Sequence, residues 1–377
     1  MPVFSQLLDK NKNKLLGQYP MRLFAWDIVQ TPIGWIMINK LAIDIVTGGA
    51  GFIGSHLVDK LLGQGRRVRV IDSLVTGSMK NLEQHKNNPN LELINEDITN
   101  LEVMNKTLEQ AERVFHLAAR ADIVPSIQNP IEYFRTNVSG TLSVLEAARH
   151  HDIKRLIYIA SSTCYGFPEH FPTPETAKNS PQYPYALTKL LGEQMVMHWE
   201  QVYKIPSLSL RCFNVYGPRA RTSGSYGAVF GVFLAQMLVD KPLTIVGDGT
   251  QTRDFTYVSD VVDALVAAAN SPISGEIFNV GSAQAPVSVN RLVELLEAKK
   301  TTHIPKRPGE PDMTWADVSK IKDKLNWQPK VSIEAGVKIM LENIDYWKDA
   351  PVWTPEMIED ATRTWFKYLG SDNEVLA

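Results

Sequence analysis

The stretch VTGGAGFIGSH, residues 46–56, constrains this chain more than any other. A β-rich run, LAIDIVT, leads straight into it, and the apolar spacing of SHLVDKLLGQG predicts a helix directly after it. Gly48, Gly51 and Gly54 stand three residues apart. A backbone without Cβ atoms turns tightly there and lets a pyrophosphate come close. The helix N-terminus adds free N–H groups and partial positive charge. The spacing is G-x-x-G-x-x-G rather than the G-x-G-x-x-G fingerprint, so the turn alone also reads as a plain strand-to-helix connection.

The residues downstream of the turn favour the nucleotide. IDIV, RVRVID, LELINED, RVFHLA and RLIYIA read as strands, with helical runs such as GTLSVLEAARHH among them. Strands apolar on both faces and separated by helices predict a parallel sheet covered on both sides. The second strand ends in Asp72, 18 residues after Gly54. A carboxylate there accepts from both ribose hydroxyls and repels a 2′-phosphate, which favours NAD over NADP. Asp97 in NEDIT stands where it meets an adenine amine or merely caps a turn. Ala118 and Ala119 in HLAARAD let a cofactor pass closely. Phe52, Ile53, Ile98, Leu117 and Arg120 flank these positions and complete the expected cofactor-binding wall.

The chain has 377 residues, enough for two lobes, with 44% apolar and 21% charged residues and a formal net charge of -2. That excludes a disordered chain and offers no basic field for nucleic acid. Cys164 and Cys212 lack metal-ligand spacing and predict free thiols in a reducing, cytoplasmic compartment. Asn39, Lys40 and Asp44 interrupt the most apolar early run, so no membrane span is expected. Residues 1–36 read either as an extension upstream of a start at Met37 or as a packing arm carrying Trp26 and Trp35. The expected divisions are 1–40 as extension, 41–205 as cofactor domain with later segments returning to it, 206–348 as mainly substrate lobe, and 349–377 as a helical tail anchored by Trp353, Trp365 and Phe366.

The run QYPYALTKLLG holds Tyr183, Tyr185 and Lys189. Pro184 suits a helix start, which makes Tyr185 and Lys189 an i, i+4 pair on one face. An ammonium beside a phenol lowers its pKa from about 10 and tunes it for proton exchange. Tyr183 has no such partner. Upstream, strand RLIYIA runs into Ser161, Ser162 and Thr163, hydroxyls at the carboxyl end of a strand, where open α/β sheets place ligands.

Together, TGGAGFIGS, HLAA, SSTCYG, PYALTK, RCFNVYGPR and RDFTYVSDVVDA resemble the extended short-chain dehydrogenase/reductase family, in its NAD-dependent sugar-nucleotide epimerase/dehydratase branch. The resemblance covers about residues 41–348. It implies a Rossmann-type doubly wound parallel sheet, tightly held NAD, and a smaller C-terminal α/β lobe for a nucleotide diphosphate sugar. By motif match, Ser161, Tyr185 and Lys189 are the catalytic set. Lys189 is to hold a nicotinamide ribose hydroxyl, and Asn137 in RTNVSGT packs under the cofactor. Ser162, Thr163, Asn214, Arg253, Arg307 and Thr314 face the substrate, the two arginines on its diphosphate.

Dehydratases of the family carry Asp-Glu directly after the catalytic Ser or Thr. Ser162 and Thr163 stand there in this chain, which argues against dehydration, and the Glu of decarboxylating relatives is also absent. The resemblance therefore implies 4-epimerisation through a 4-keto sugar, with reduction, decarboxylation or dehydration of another nucleotide sugar, or a silent NAD-binding scaffold, as the alternatives. Thr314, where some members have a bulky Tyr, leaves room for an N-acetyl group. RARTSGSYGAV matches no substrate subgroup. The family also implies a homodimer through helices near residues 133–150 and 185–203.

Overall fold

The strands expected between residues 43 and 160 all form and lie in one parallel sheet, in a computed structural model that describes residues 26–31, 34–39, 42–220 and 228–370. Ahead of them, β1 (Trp26–Thr31) and β2 (Gly34–Asn39) form an antiparallel hairpin, paired from Trp26–Asn39 to Thr31–Gly34. It belongs to a separate unit, residues 1–42. The anchoring expected of Trp26 and Trp35 concerns side chains outside the described residues.

From residue 43 the chain builds β3 (Ile43–Thr47), β4 (Arg67–Ile71), β5 (Leu91–Ile94), β6 (Ala111–His116), β7 (Arg155–Ser161) and β8 (Ser207–Cys212). It then crosses to a second lobe with β9 (Val215–Tyr216), β10 (Leu243–Val246), β11 (Thr252–Arg253) and β12 (Thr256–Tyr257). It returns to the sheet as β13 (Glu276–Val280) and leaves again with β14 (Val287–Ser288) and β15 (Thr301–Ile304). The sheet order is β13-β8-β7-β6-β3-β4-β5. The order reverses between β3 and β6, so a crevice opens at their carboxyl ends, the place where such sheets bind ligands.

Helices α1 (Phe52–Gly63), α2 (Leu101–Thr107), α3 (Ile123–Gln128), α4 (Pro130–Phe134), α5 (Gly140–His150) and α6 (Pro184–Tyr203) accompany the first strands. They cover both faces, which is why β3, β7 and β8 are buried at every position. One position in β3 is ionic: Asp44, fully buried, accepts paired hydrogen bonds from Arg66 and from Arg113 at 2.6–2.8 Å. Two forked guanidinium partners offset the cost of burying that charge, at the sheet end remote from the crevice.

The later chain adds α7 (Val229–Leu238), α8 (Val258–Asn270), α9 (Val289–Leu295), α10 (Ser319–Leu325), α11 (Ile333–Glu342) and α12 (Pro355–Leu369), of which α8 and α10 pack back on the seven-stranded sheet. The second lobe's core is aromatic, with Tyr216 stacked on Phe230 at 4.7 Å and Phe255 edge-on to both. Of the RARTSGSYGAV segment, residues 221–227 lie outside the described residues.

Candidate active site

A cavity of about 790 Å³ opens over the switch point. The glycine turn forms its floor. Gly48 has φ of +71°, and a Cβ on it would stand 2.8 Å from the Ala118 backbone. A Cβ on Gly54 would overlap the Gly48 carbonyl oxygen. Glycine is thus required twice, to seat β3, the turn and α1 against the HLAARAD segment. Gly51, the N-cap of α1, has no side chain to cap it, so the first N–H groups of the helix are available at the cavity floor.

Asp72 stands at the end of β4 and lines the same cavity. Its oxygens accept from the backbone N–H groups of Ala50 and Leu74, both at 2.9 Å, which favours the carboxylate, while burial pushes its pKa up. Each oxygen keeps lone-pair capacity for a further donor. Phe52, Ile53, Asp97, Ile98, Leu117, Ala118, Ala119 and Arg120 also line it. Asp97 makes the turn-capping contact, accepting from Thr99 N–H at 2.9 Å. Bare backbone, a helix N-terminus and an acid at the second strand end fit a dinucleotide such as NAD.

Asn137 stands behind this wall rather than on it. It sits in a π-helical turn, Arg135–Ser139, between α4 and α5. Its side chain accepts from the Arg120 N–H at 2.8 Å and donates to the Arg120 carbonyl at 3.0 Å and to Thr188 at 3.0 Å. It therefore pins the loop under the cofactor cradle. Behind it, His116 Nδ1 accepts from Thr47 at 2.8 Å and Nε2–H donates to Thr141 at 2.9 Å. The direction follows from the partners: Thr47 Oγ1 already accepts from Leu117 and Ala118, and Thr141 donates to the Asn137 carbonyl. Burial, then the Lys189 charge, push the His116 pKa down to about 3, so the ring stays neutral.

Helix α6 has Pro184 in its first turn, and Tyr185 and Lys189 follow on one face. Ser161, the last residue of β7, lines the cavity together with Tyr185. Thr163 donates to Ser161 at 2.9 Å. The expected ammonium tuning of Tyr185 is not what the structure shows. Burial pushes the phenol up to about 12, and the nearby Ser161 hydroxyl is what pulls it down. Lys189 is 3% exposed and does not line the cavity. Its Nζ stands 4.3 Å from the Tyr158 ring centroid, and burial pushes its pKa down to about 7. Helical spacing put the two side chains on one face but could not reveal the desolvation that both undergo.

Ser162, Thr163, Asn214, Arg253, Arg307 and Thr314 all face the cavity. Thr314 donates to Asn214 Oδ1 at 2.8 Å and accepts from the Asp254 N–H at 3.2 Å. Glu310, absent from the residues expected at the site, bridges the two arginines: Arg307 at 2.9 Å and Arg253 at 3.7 Å. Tyr183 lines the cavity and stacks on Tyr185, rings 6.5 Å apart and 8° from parallel. Trp365 of α12 also reaches the cavity wall. Trp365 is expected only as an anchor of the tail and Glu310 not at all; their place at the site becomes visible only when distant segments meet.

A parallel sheet reversing at a glycine turn, with a Ser–Tyr pair beside it, defines a class of nucleotide-dependent oxidoreductase folds. The chain belongs to the extended short-chain dehydrogenase/reductase family: residues 45–340 match the family model described as GDP-mannose 4,6 dehydratase. A UDP-glucuronate 4-epimerase of Thermodesulfobacterium geofontis is 35% identical over 82% of this chain and 99% of its own length. UDP-glucuronic acid decarboxylase 1 of Arabidopsis thaliana is 36% identical over 83% of this chain and 72% of its own. The crystal structure of UDP-glucuronic acid 4-epimerase from Bacillus cereus, in complex with UDP-glucuronic acid and NAD, matches with a TM-score of 0.75 at 36% identity, over 80% of this chain and 99% of that one.

Proposed function

We propose that this chain is an NAD-dependent nucleotide-sugar 4-epimerase acting on a UDP-linked hexose, N-acetylhexosamine or uronic acid. The observation that carries the reading is that Ser161 and Tyr185 share one cavity in which Ser162 and Thr163 occupy the two positions a dehydratase gives to Asp and Glu. Hydroxyls at those positions supply no acid or base for water loss near neutral pH. NAD, held by the glycine turn, Asp72 and the Leu117–Arg120 loop, supplies reversible hydride exchange at the sugar C4 and acts as a prosthetic group.

The chain's own residues handle the proton and the orientation. Tyr185 takes the O4 proton, and Ser161 orients the sugar hydroxyl and stabilises the phenolate by hydrogen bonding. Lys189, buried over Tyr158 and off the cavity wall, would have to turn toward the ribose side of the cofactor to hold it, and Asn137 fixes the loop beneath it. Arg253 and Arg307 grip the diphosphate as planar forks, and Glu310 keeps them paired until it arrives. In this reading residues 41–205 bind mainly NAD and 206–348 mainly the sugar nucleotide.

Exposed Ile131, Phe134 and Leu142 on α4 and α5, with Leu187, Val202 and Tyr203 on α6, support a homodimer across these helices. A cytoplasmic setting is supported by two buried free thiols, Cys164 and Cys212. Among the described residues no helix is long and apolar enough to cross a membrane.

Decarboxylation of a nucleotide uronic acid is the second reading, favoured by the Arabidopsis thaliana relative. One experiment separates the two: purified protein with UDP-, dTDP- and GDP-sugars, no added NAD, and products read by NMR. Epimerisation yields the C4 epimer at constant carbon count, and a pentose product with released CO2 would replace this reading by the second. Thr314, which lines the cavity as a small residue, supports tolerance of an N-acetyl group. Thr314→Tyr is expected to shift kcat/KM toward the unsubstituted hexose, and an unchanged preference would remove Thr314 from the account.

A further inference from the structure

Helix α12 lies beyond the stretch that matches the family model, residues 45–340, and the Thermodesulfobacterium geofontis epimerase is matched over 99% of its length by only 82% of this chain. The helix is nevertheless built into the site. Its buried face is Ile358, Thr362 and Trp365, spaced i, i+4, i+7, and Thr354 caps its start by accepting from the Met357 N–H. It packs on α3, the helix that follows the HLAARAD loop, where Gln128 donates to the Ala361 carbonyl at 3.4 Å.

Trp365 is 1% exposed and touches two parts of the cavity at once. Its indole N–H donates to the Pro308 carbonyl at 2.6 Å, and its ring lies 5.6 Å from the Arg307 guanidinium carbon. Its centroid is 6.2 Å from that of Tyr183, which in turn stacks on Tyr185. Leu369, one helical turn on, packs 3.4 Å from where a Cβ on Gly309 would stand. One side chain therefore braces the Arg307–Glu310 arc and the tyrosine beside the proposed base.

We propose that α12 is a fixed wall of the substrate cavity, and that Trp365 is a positioning residue that holds Arg307 and Tyr183 in the geometry that receives the nucleotide sugar. This deepens the proposed function and rests on it. A planar guanidinium binds a diphosphate well only when its fork is already oriented, and bracing it before binding removes an ordering cost. The indole does both: its ring attracts the guanidinium face, and its N–H pins the backbone one residue along. The ring and hydrogen-bond partners of Trp365 are Pro308, Arg307 and Tyr183, none of them a residue of the cofactor cradle.

The test compares full-length wild type, Trp365→Ala and Trp365→Phe. Calorimetry with UDP as the probe gives Kd, steady-state kinetics on a UDP-sugar the wild type turns over gives KM and kcat, and NAD is quantified after denaturation. Trp365→Ala is expected to raise both Kd for UDP and KM about 10-fold, equivalent to about 1.4 kcal/mol. Its kcat is expected to fall less than about 3-fold, with bound NAD unchanged. Trp365→Phe, which keeps the ring and loses the N–H, is expected about midway. Unchanged Kd and KM in both variants, or loss of NAD and kcat at constant KM, would overturn the proposal. If Trp365→Ala fails to fold, Trp365→Phe decides alone, and an unchanged KM there is the overturning result. A wild type that binds no UDP and converts no UDP-sugar overturns the epimerase reading itself, and this proposal with it.

Discussion

At the scale of single residues, the proton chemistry rests on Ser161 as much as on Tyr185. The phenol is raised to about 12 by burial and held down by the nearby Ser161 hydroxyl. Ser161→Ala removes the lowering contribution, so the phenol titrates still higher. The expected outcome is a fall in kcat of about 10²-fold at pH 7 and a pH–rate profile displaced to alkaline pH. Tyr185→Phe removes the base and is expected to lose at least about 10³-fold while retaining NAD. Equal activity in that variant would discard the assignment. His116 makes a stability prediction of definite sign. Unfolded, it titrates near 6.5; folded, it stays neutral down to about 3. Between those values the unfolded state binds the extra proton, so this contribution to stability shrinks as pH falls from 6.5 toward 3. Urea unfolding at about pH 7, 5.5 and 4.5 should show His116→Gln losing less stability on acidification than the wild type, even though it starts lower.

At the scale of elements, the turn between β3 and α1 is where backbone geometry and ligand binding coincide. Gly54→Ala drives a Cβ into the Gly48 carbonyl oxygen, so the helix must shift away from the turn. Loss of bound NAD and a lower Tm are expected, read by cofactor release and by calorimetry. Gly63, at the other end of α1, has nothing within 4 Å of where a Cβ would stand, and Gly63→Ala is expected to leave NAD in place and stabilise by about 0.5–1 kcal/mol. The glycine spacing was legible in the sequence because covalent chemistry makes glycine irreplaceable at such turns. The strands were legible because burial on both faces leaves them uniformly apolar. Asn137's turn was not: a π-helical segment has no spacing rule that distinguishes it from the α-helices on either side.

At the scale of the whole molecule, the exposed apolar residues of α5 and α6 bear on assembly. Leu187→Glu places a charge on the proposed dimer face, and light scattering is expected to find a monomer where the wild type is a dimer. A wild type that is already monomeric would remove that part of the reading. What the linear chain settled was local and additive: the α/β alternation, the glycine turn, Asp72 at a strand end, Tyr185 and Lys189 one helical turn apart. Each follows from the conformational preferences of neighbouring residues. The folded molecule decided what depends on desolvation and on meetings between distant segments. It set Lys189 over the Tyr158 ring, it bridged Arg253 and Arg307 with Glu310, and it brought Trp365 from the far end of the chain to Tyr183. Electrostatic tuning and cavity shape are properties of an enclosed volume, and a volume is defined only once the chain has closed around it.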